Sequence, residues 1–251
     1  MVKIIMSGCN GRMGQVITGI VAGDENASIV AGVDINAAKK NDYPVYDNID
    51  SVVEDGDVII DFSSPKTLDS LLKAAKEKKY ALVLCSTGYS EEQIASISKA
   101  SADIAILRSA NMSLGVNVLL KLVADAAKVL ADSGFDIEIV EQHHNKKLDA
   151  PSGTAIAIAD SINKAMNNRY GYVYDRSERR IARPADEIGI SSVRGGSIVG
   201  DHEVIYAGMD EVISIKHTAY SRSIFGKGAV SAAKFICGRP AGLYSMQDVI
   251  A

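Results

Sequence analysis

The chain has 251 residues, 47% of them hydrophobic, and a formal net charge of −4, so it can bury a large core, is long enough for two domains and is a poor candidate for nucleic-acid binding. Three scattered cysteines, Cys9, Cys85 and Cys237, supply neither a disulfide framework nor a thiolate metal site, and no metal is expected. No apolar run reaches bilayer length and the first residues enter a strand without a cationic leader, so no membrane partner and a cytoplasmic location are expected.

In chain order, residues 3–7, 29–34, 58–62, 81–85 and 104–107 read as strands, with helices over 12–22 and 68–78. This is the rhythm of a parallel sheet with crossover helices, an α/β fold of the Rossmann type. Between the first strand and the first helix lie Gly8, Cys9, Asn10, Gly11, Arg12, Met13 and Gly14. Glycines there let the backbone turn tightly and approach a pyrophosphate, which the helix start then holds. The spacing is GxxGxxG rather than GxGxxG, so the turn alone is moderately specific and a purely structural turn is its alternative. The second strand ends at Asp34, 20 residues after Gly14, where an acid accepts hydrogen bonds from an adenosine ribose. Two later strand ends, Cys85-Ser86-Thr87-Gly88 and Ser109-Ala110-Asn111-Met112-Ser113, carry small and polar residues where a nicotinamide half would lie.

From Leu114 the texture changes to a long amphipathic helix over 116–131, a strand over 135–141, a helix over 155–166, and strands at 189–193, 203–207 and 212–217. With turns at Gly195, Gly196, Gly200 and Gly208, this reads as an α+β domain with an open mixed or antiparallel sheet. Gly226 and Gly228 precede an apolar helix over 229–237, a tail expected to return to the first domain. The expected division is 1–113 with 222–251 as a dinucleotide-binding domain, and 114–221 as a substrate domain.

The segment from Glu141 to Thr154, EQHHNKKLDAPSGT, concentrates the chemistry. His143 lies where the strand is expected to run out, and imidazole can give or take a proton near neutrality. Lys147 offers a positive charge and a second proton. Pro151 and Ser152 lead into a helix whose first N–H groups, at Gly153 and Thr154, make a seat for a carboxylate. Singly, His143 and His144 read as strand-end polar residues and Lys146 and Lys147 as a solvated patch; together, before Pro-Ser-Gly-Thr, they read as an active site. Arg169, Arg176, Arg179, Arg180, Arg183 and Arg194 follow, which would suit a small anionic substrate, although a solvated loop is the simpler account of Arg176 to Arg183. His202 and His217 are isolated in strand-rich sequence and read as packed structural residues.

The Glu141–Ala155 segment resembles the E-x-H-H-x-x-K-x-D-x-P-S-G-T-A signature of the 4-hydroxy-tetrahydrodipicolinate (dihydrodipicolinate) reductases of bacterial lysine and diaminopimelate synthesis. The resemblance extends to Gly8–Gly14, Ser86–Gly88, the stretch from Asn111 to Asn117, that from Val193 to His202, and Gly242-Leu-Tyr-Ser-Met. It implies an NADH- or NADPH-dependent reductase of a small dicarboxylate, assembled as a homotetramer through the sheet of the second domain. His143 would be the proton donor, Lys147 a second one, and His144, Gly153 and Thr154 would hold substrate. Cofactor contacts would come from Gly8, Cys9, Asn10, Gly11, Arg12, Met13, Asp34, Cys85, Ser86, Thr87, Ala110, Asn111, Met112 and Ser113. The chain departs from the family pattern twice. Ile35 replaces an arginine that engages a 2′-phosphate, leaving only Lys39 or Lys40 to do so and favouring NADH; and Cys85 stands where glycine is common. Another two-domain Rossmann oxidoreductase, or a non-catalytic nucleotide-binding homologue, remains the alternative.

Overall fold

The structure is a computed structural model that describes residues 1–38 and 41–251; Lys39 and Lys40, the expected partners of a 2′-phosphate, lie outside the described residues. The strands are β1 (Val2–Ser7), β2 (Ala27–Val33), β3 (Val45–Tyr46), β4 (Val58–Asp61), β5 (Ala81–Leu84), β6 (Ala105–Arg108), β7 (Asp136–His143), β8 (Gly171–Val173), β9 (Glu187–Arg194), β10 (Gly200–Ala207), β11 (Val212–Ala219) and β12 (Gly242–Tyr244). The helices are α1 (Arg12–Ala22), α2 (Leu68–Lys78), α3 (Glu91–Ala100), α4 (Leu114–Leu130), α5 (Gly153–Ala165), α6 (Ser223–Ile236) and α7 (Met246–Val249). The chain divides into two compact units, Met1–Leu114 with Ser223–Ala251, and Gly115–Arg222.

In the first unit a seven-stranded sheet runs β12-β6-β5-β4-β1-β2-β3, and every pairing in it is parallel. Strands β4 and β5 are buried along their whole length, as parallel strands covered on both faces must be. The period of two sorts their side chains. Ile4, Met6, Val58, Ile60 and Val83 join Ile17, Val21, Val230, Ala233 and Ile236 from α1 and α6 on one face. Ile5, Ile59, Leu82 and Leu84 join Leu68, Leu71 and Leu72 of α2 and Ile97 of α3 on the other. Each such aliphatic side chain contributes about 1.5–3 kcal/mol on full burial, so a one-residue slip that exchanged the faces would forfeit much of the core. The tail packs in this unit, with β12 beside β6. Gly226 and Gly228 lie inside α6 rather than before it. A β-carbon on Gly228 would overlap the Met112 carbonyl, and one on Gly226 would sit 2.8 Å from Ile20 Cδ1, so both glycines permit close backbone packing.

In the second unit a five-stranded sheet runs β11-β10-β7-β9-β8. It is mixed: β10 is antiparallel to β7 and β11, while β9 is parallel to β7 and β8. One face carries Ile137, Ile139, Ile188, Ile190, Val204 and Tyr206 against Leu119 and Val123 of α4 and Ile158 and Ile162 of α5. On the opposite face the near halves of β7 and β9 carry a lattice of ion pairs. Arg176 donates to both oxygens of Glu138 and to Glu187, Arg179 donates to Glu187, and Arg183 donates to Asp136 and Glu138. The basic stretch is therefore neither a free anion pocket nor a solvated loop at Arg176, Arg179 and Arg183; their charge is taken up by the acids of β7 and β9. Gly189 makes room for this, since a β-carbon there would overlap the Glu138 carboxylate.

Candidate active site

In the first unit the turn after β1 is shaped by its neighbours. Gly8 has φ +79°, a conformation L residues rarely adopt, and any β-carbon on it would lie 2.7 Å from the Phe62 carbonyl oxygen. Helix α1 starts at Arg12 behind Gly11, which offers its N–H groups no side-chain cap. The backbone N–H of Asn10 donates to Asp34 Oδ2 at 2.9 Å and that of Asn36 to Oδ1 at 2.9 Å, so Asp34 clamps the turn while facing outward. Beside it is a cavity of about 370 Å³ lined by Ser7, Gly8, Gly11, Asp34, Ile35, Asp47, Asn48, Phe62 and Thr67 among others. A second cavity of about 250 Å³ shares Phe62, Ser63 and Ser64 with it and adds Cys85, Ser86 and Thr87.

Several predicted contacts in this unit are available through the backbone alone. Cys9 is fully buried in the core, Met112 is 3% exposed in the same core, and Cys85 is buried with its thiol pushed well up by burial and the nearby Asp61 charge. Arg12 and Asn10 are at the turn; Ala110 to Ser113 form a compact loop in which Asn111 Oδ1 accepts the Ser113 N–H at 2.9 Å. Asp61 escaped the sequence reading. This fully buried carboxylate at the end of β4 accepts hydroxyl hydrogens from Ser7 and Ser86, each at 2.8 Å, and from Ser63, thereby tying together three strand ends at the edge that carries the glycine turn. A larger cavity of about 500 Å³, lined by Asp57, Lys76, Tyr80 and Arg239, lies at the other edge of this sheet, by the starts of β5 and β6, and has no glycine turn beside it.

In the second unit β7 extends through His143, two residues beyond the expected strand. Its buried face reads Ile137, Ile139, Glu141, His143, so the apolar/acidic alternation breaks at Val140 and turns Glu141 inward. Glu141 is fully buried, and its partners explain how it remains ionised. Its Oε2 lies 2.6 Å from His143 Nδ1 and accepts from Arg194 Nη1 at 2.8 Å; Oε1 accepts from Arg194 Nη2 at 2.6 Å and from the Ser152 backbone N–H at 3.0 Å. Burial pushes the Glu141 pKa up, but donors from Arg194, Ser192, His143 and Ser152 outweigh it and bring the value to about 2. Arg194 reaches Glu141 because β9 runs parallel to β7 with Arg194 opposite His143.

His143 is 8% exposed, and burial lowers its pKa more than the adjacent Glu141 carboxylate raises it. Its ring meets that of His202 edge-on, with centroids 5.2 Å apart. His202 is buried, bonds through Nε2 to Ser152 Oγ at 2.9 Å, and has its pKa lowered to about 4 by burial and by His143. Ser152 in turn caps α5, its Oγ accepting from the Ala155 N–H at 3.1 Å. His217 sits opposite His202 on β11. His144 is partly buried with no hydrogen-bond partner for its Nδ1 among the described residues. Lys147 pairs with Asp149 at 2.9 Å, and that carboxyl is held below its usual range by Lys147 and, less strongly, by the Gly153 N–H. The cation and helix start expected to hold a substrate carboxylate thus come together on one carboxylate of the chain itself. Sequence reasoning missed Glu141 and Arg194 as site residues; the inward acid at the break in alternation was the available signal.

No described helix is long and apolar enough to cross a membrane, and no metal-binding group of acids, histidines or cysteines occurs among the described residues. Residues 2–112 match the family model described as dihydrodipicolinate reductase, N-terminus, and residues 115–250 match that for the C-terminus. A 4-hydroxy-tetrahydrodipicolinate reductase of Caldanaerobacter subterraneus subsp. tengcongensis is 50% identical over 250 residues, covering 100% of this chain and 98% of that protein. One of Clostridium tetani is 49% identical, covering 100% and 97%. The fold is shared with a dipicolinate-bound dihydrodipicolinate reductase from Paenisporosarcina sp. TG-14, at TM-score 0.83 and 23% identity over 99% of both chains.

Proposed function

Since the chain belongs to the dihydrodipicolinate reductase family, we propose that it reduces 4-hydroxy-tetrahydrodipicolinate to tetrahydrodipicolinate with a nicotinamide cofactor, a step of bacterial lysine and diaminopimelate synthesis. The observation that carries the reading is the single cluster in the second unit in which a buried, carboxylate-bound imidazole, an ammonium and a capped helix start are joined through Glu141, Ser152 and Asp149.

When bound, the reduced nicotinamide supplies the hydride. The first unit fits such a group: the Gly8 conformation, the helix start at Arg12 without a side-chain cap and the outward Asp34 suit a pyrophosphate and a ribose. Loss of the 4-hydroxyl as water leaves an unsaturated ring; hydride addition makes it an electron-rich enamine, which takes one proton at carbon. His143 gives that proton. Lys147, with Gly153 and Thr154, binds a ring carboxylate in place of Asp149, and places a second acid beside it; His144 lies next to His143 on the substrate side. Bound dicarboxylate raises the His143 pKa, loading the imidazole for donation.

NADH is favoured over NADPH. Asp34 and Asp47 face the cavity, Ile35 is 98% exposed where an arginine would meet a 2′-phosphate, and no basic side chain lines the cavity among the described residues. A homotetramer built on the outer sheet face of the second unit is supported by exposed Val193 and Val212 on β9 and β11, and a cytoplasmic location by the pathway itself. The test is oxidation of NADH and of NADPH by the purified protein with freshly generated substrate. Absence of substrate-dependent oxidation with both would overturn the proposed activity.

A further inference from the structure

We propose that Glu141, gripped by Arg194, is a positioning residue that fixes the His143 imidazole as its Nδ1–H tautomer and leaves Nε2 as the nitrogen that exchanges a proton with substrate. This rests on the reading of His143 as the proton donor, and goes beyond it by assigning the nitrogen and the group that selects it.

The donor inventory around Glu141 forces the tautomer. An ionised carboxylate only accepts hydrogen bonds. Three of its hydrogen bonds come from donors that cannot change role: two guanidinium N–H groups of Arg194 and the Ser152 backbone N–H. They hold both oxygens in place, the Ser192 hydroxyl adds a further donor, and His143 Nδ1 at 2.6 Å must then carry the hydrogen. Gly200 on β10 makes room for the ring itself, since a β-carbon there would stand 2.9 Å from Nε2, and with Nδ1 committed to Glu141 the nitrogen left for exchange is Nε2. The His202 ring, 5.2 Å away at 73°, restrains the ring from the side. After giving its Nε2 proton the imidazole is already in the neutral form Glu141 requires, so reloading needs no ring rotation. The Ser152 N–H also links the carboxylate to the start of α5, so acid and anion seat share one anchor.

Replacing Glu141 by Gln makes a directional prediction. The amide oxygen must face the Ser152 N–H, which cannot accept, so the amide NH2 faces His143 Nδ1. The imidazole can adapt by moving its hydrogen to Nε2. Glu141→Gln should therefore invert the tautomer and lower kcat about 10²- to 10⁴-fold, the range a positioned proton donor contributes and a wrongly set tautomer forfeits, with KM and cofactor affinity nearly unchanged. The groups facing His143 are Glu141 on β7, Arg194 on β9, His202 on β10 and Lys147 in the following loop. Removing the one negative charge among them should shift the His143 limb of the kcat–pH profile to lower pH.

The deciding experiment is nitrogen NMR of histidine-labelled protein at about pH 8, where free imidazole is neutral, with the His143 signals identified by their loss in His143→Gln. Expected for the wild type is a protonated Nδ1 and a bare Nε2, and for Glu141→Gln the reverse. A wild-type Nε2–H tautomer overturns the proposal, whether or not the variant folds. Kinetics separates this from the parent reading. If His143→Gln retains full kcat, the proton donor itself is misassigned and the proposal falls with it. If His143→Gln is impaired but Glu141→Gln has wild-type kcat and pH profile, only the positioning role is overturned. Adding Glu141→Gln to His143→Gln should cost nothing further, and an additive loss would contradict action through His143.

Discussion

Facing the two cavities beside the glycine turn of the first unit are mostly backbone groups and neutral side chains, arranged by glycine conformation and by the buried Asp61 beneath. The candidate site of the second unit is instead made of ionised side chains that hold one another, Glu141 with Arg194 and Lys147 with Asp149. All four histidines of the chain, His143, His144, His202 and His217, also lie in the second unit. A site made from backbone depends on chain path and tolerates exchanges such as the cysteine at 85. A site made from charges depends on each partner and on pH.

The largest expected effect falls on the charged side of this contrast. His143→Gln should lower kcat about 10²- to 10⁴-fold while cofactor binding, measured by calorimetry, stays at the wild-type value; equal turnover would move the proton to Lys147 or to water. Acid should likewise strike the second unit first. His202 has its folded pKa lowered to about 4, so it is neutral when folded and takes up a proton on unfolding; its contribution to stability is present above about pH 6.5 and lost as pH falls from there toward 4. Glu141 adds to the loss as pH falls from about 4.5 toward its folded value of about 2. Each is worth up to about 3 kcal/mol. Denaturation midpoints measured from pH 7 down to 4 should fall in the wild type and flatten in His202→Gln; parallel curves would contradict the assignment.

On the backbone side, Gly8→Ala places a β-carbon against the Phe62 carbonyl at positive φ. It should destabilise the first unit by about 1–3 kcal/mol and weaken cofactor binding, with dicarboxylate binding unaffected. Wild-type cofactor affinity would show that the turn is not the binding surface. Lys147→Met should weaken binding of a planar pyridine dicarboxylate to the cofactor-loaded protein about tenfold, roughly 1.4 kcal/mol, and wild-type binding should weaken modestly with salt. Equal affinity in both proteins would remove Lys147 from the anion seat. The smallest effect is the cofactor ratio: kcat/KM with NADH should equal or exceed that with NADPH, and a preference for NADPH above about tenfold would point to a basic group outside the Asp34–Ile35 pair.

Legibility followed burial. Helices α1 and α2 were read to the residue, because their apolar faces meet a sheet and their flanks carry clear turn signals. Helix α3 was missed: it buries only Ile97 and Ala100, and its signal was the Ser90–Gln93 capping box rather than a hydrophobic stripe. Strands β3, β8 and β12 have two or three residues at sheet edges, too short for a period to show. The beginning of α6 was lost because Gly226 and Gly228 look like breakers, and only the contacted backbone explains them. At the site, His143 and Lys147 stood out because their neighbours are adjacent in sequence. Arg194 comes 53 residues after Glu141, and register between β7 and β9, which no local pattern encodes, is what joins them.

The most direct test of the account is substrate-dependent oxidation of NADH by the wild-type protein, followed by absorbance with freshly generated 4-hydroxy-tetrahydrodipicolinate. The account predicts that oxidation stops when the substrate is consumed, with one cofactor oxidised per molecule of tetrahydrodipicolinate formed. A protein that binds NADH with wild-type stability yet oxidises neither NADH nor NADPH in the presence of that substrate would contradict it.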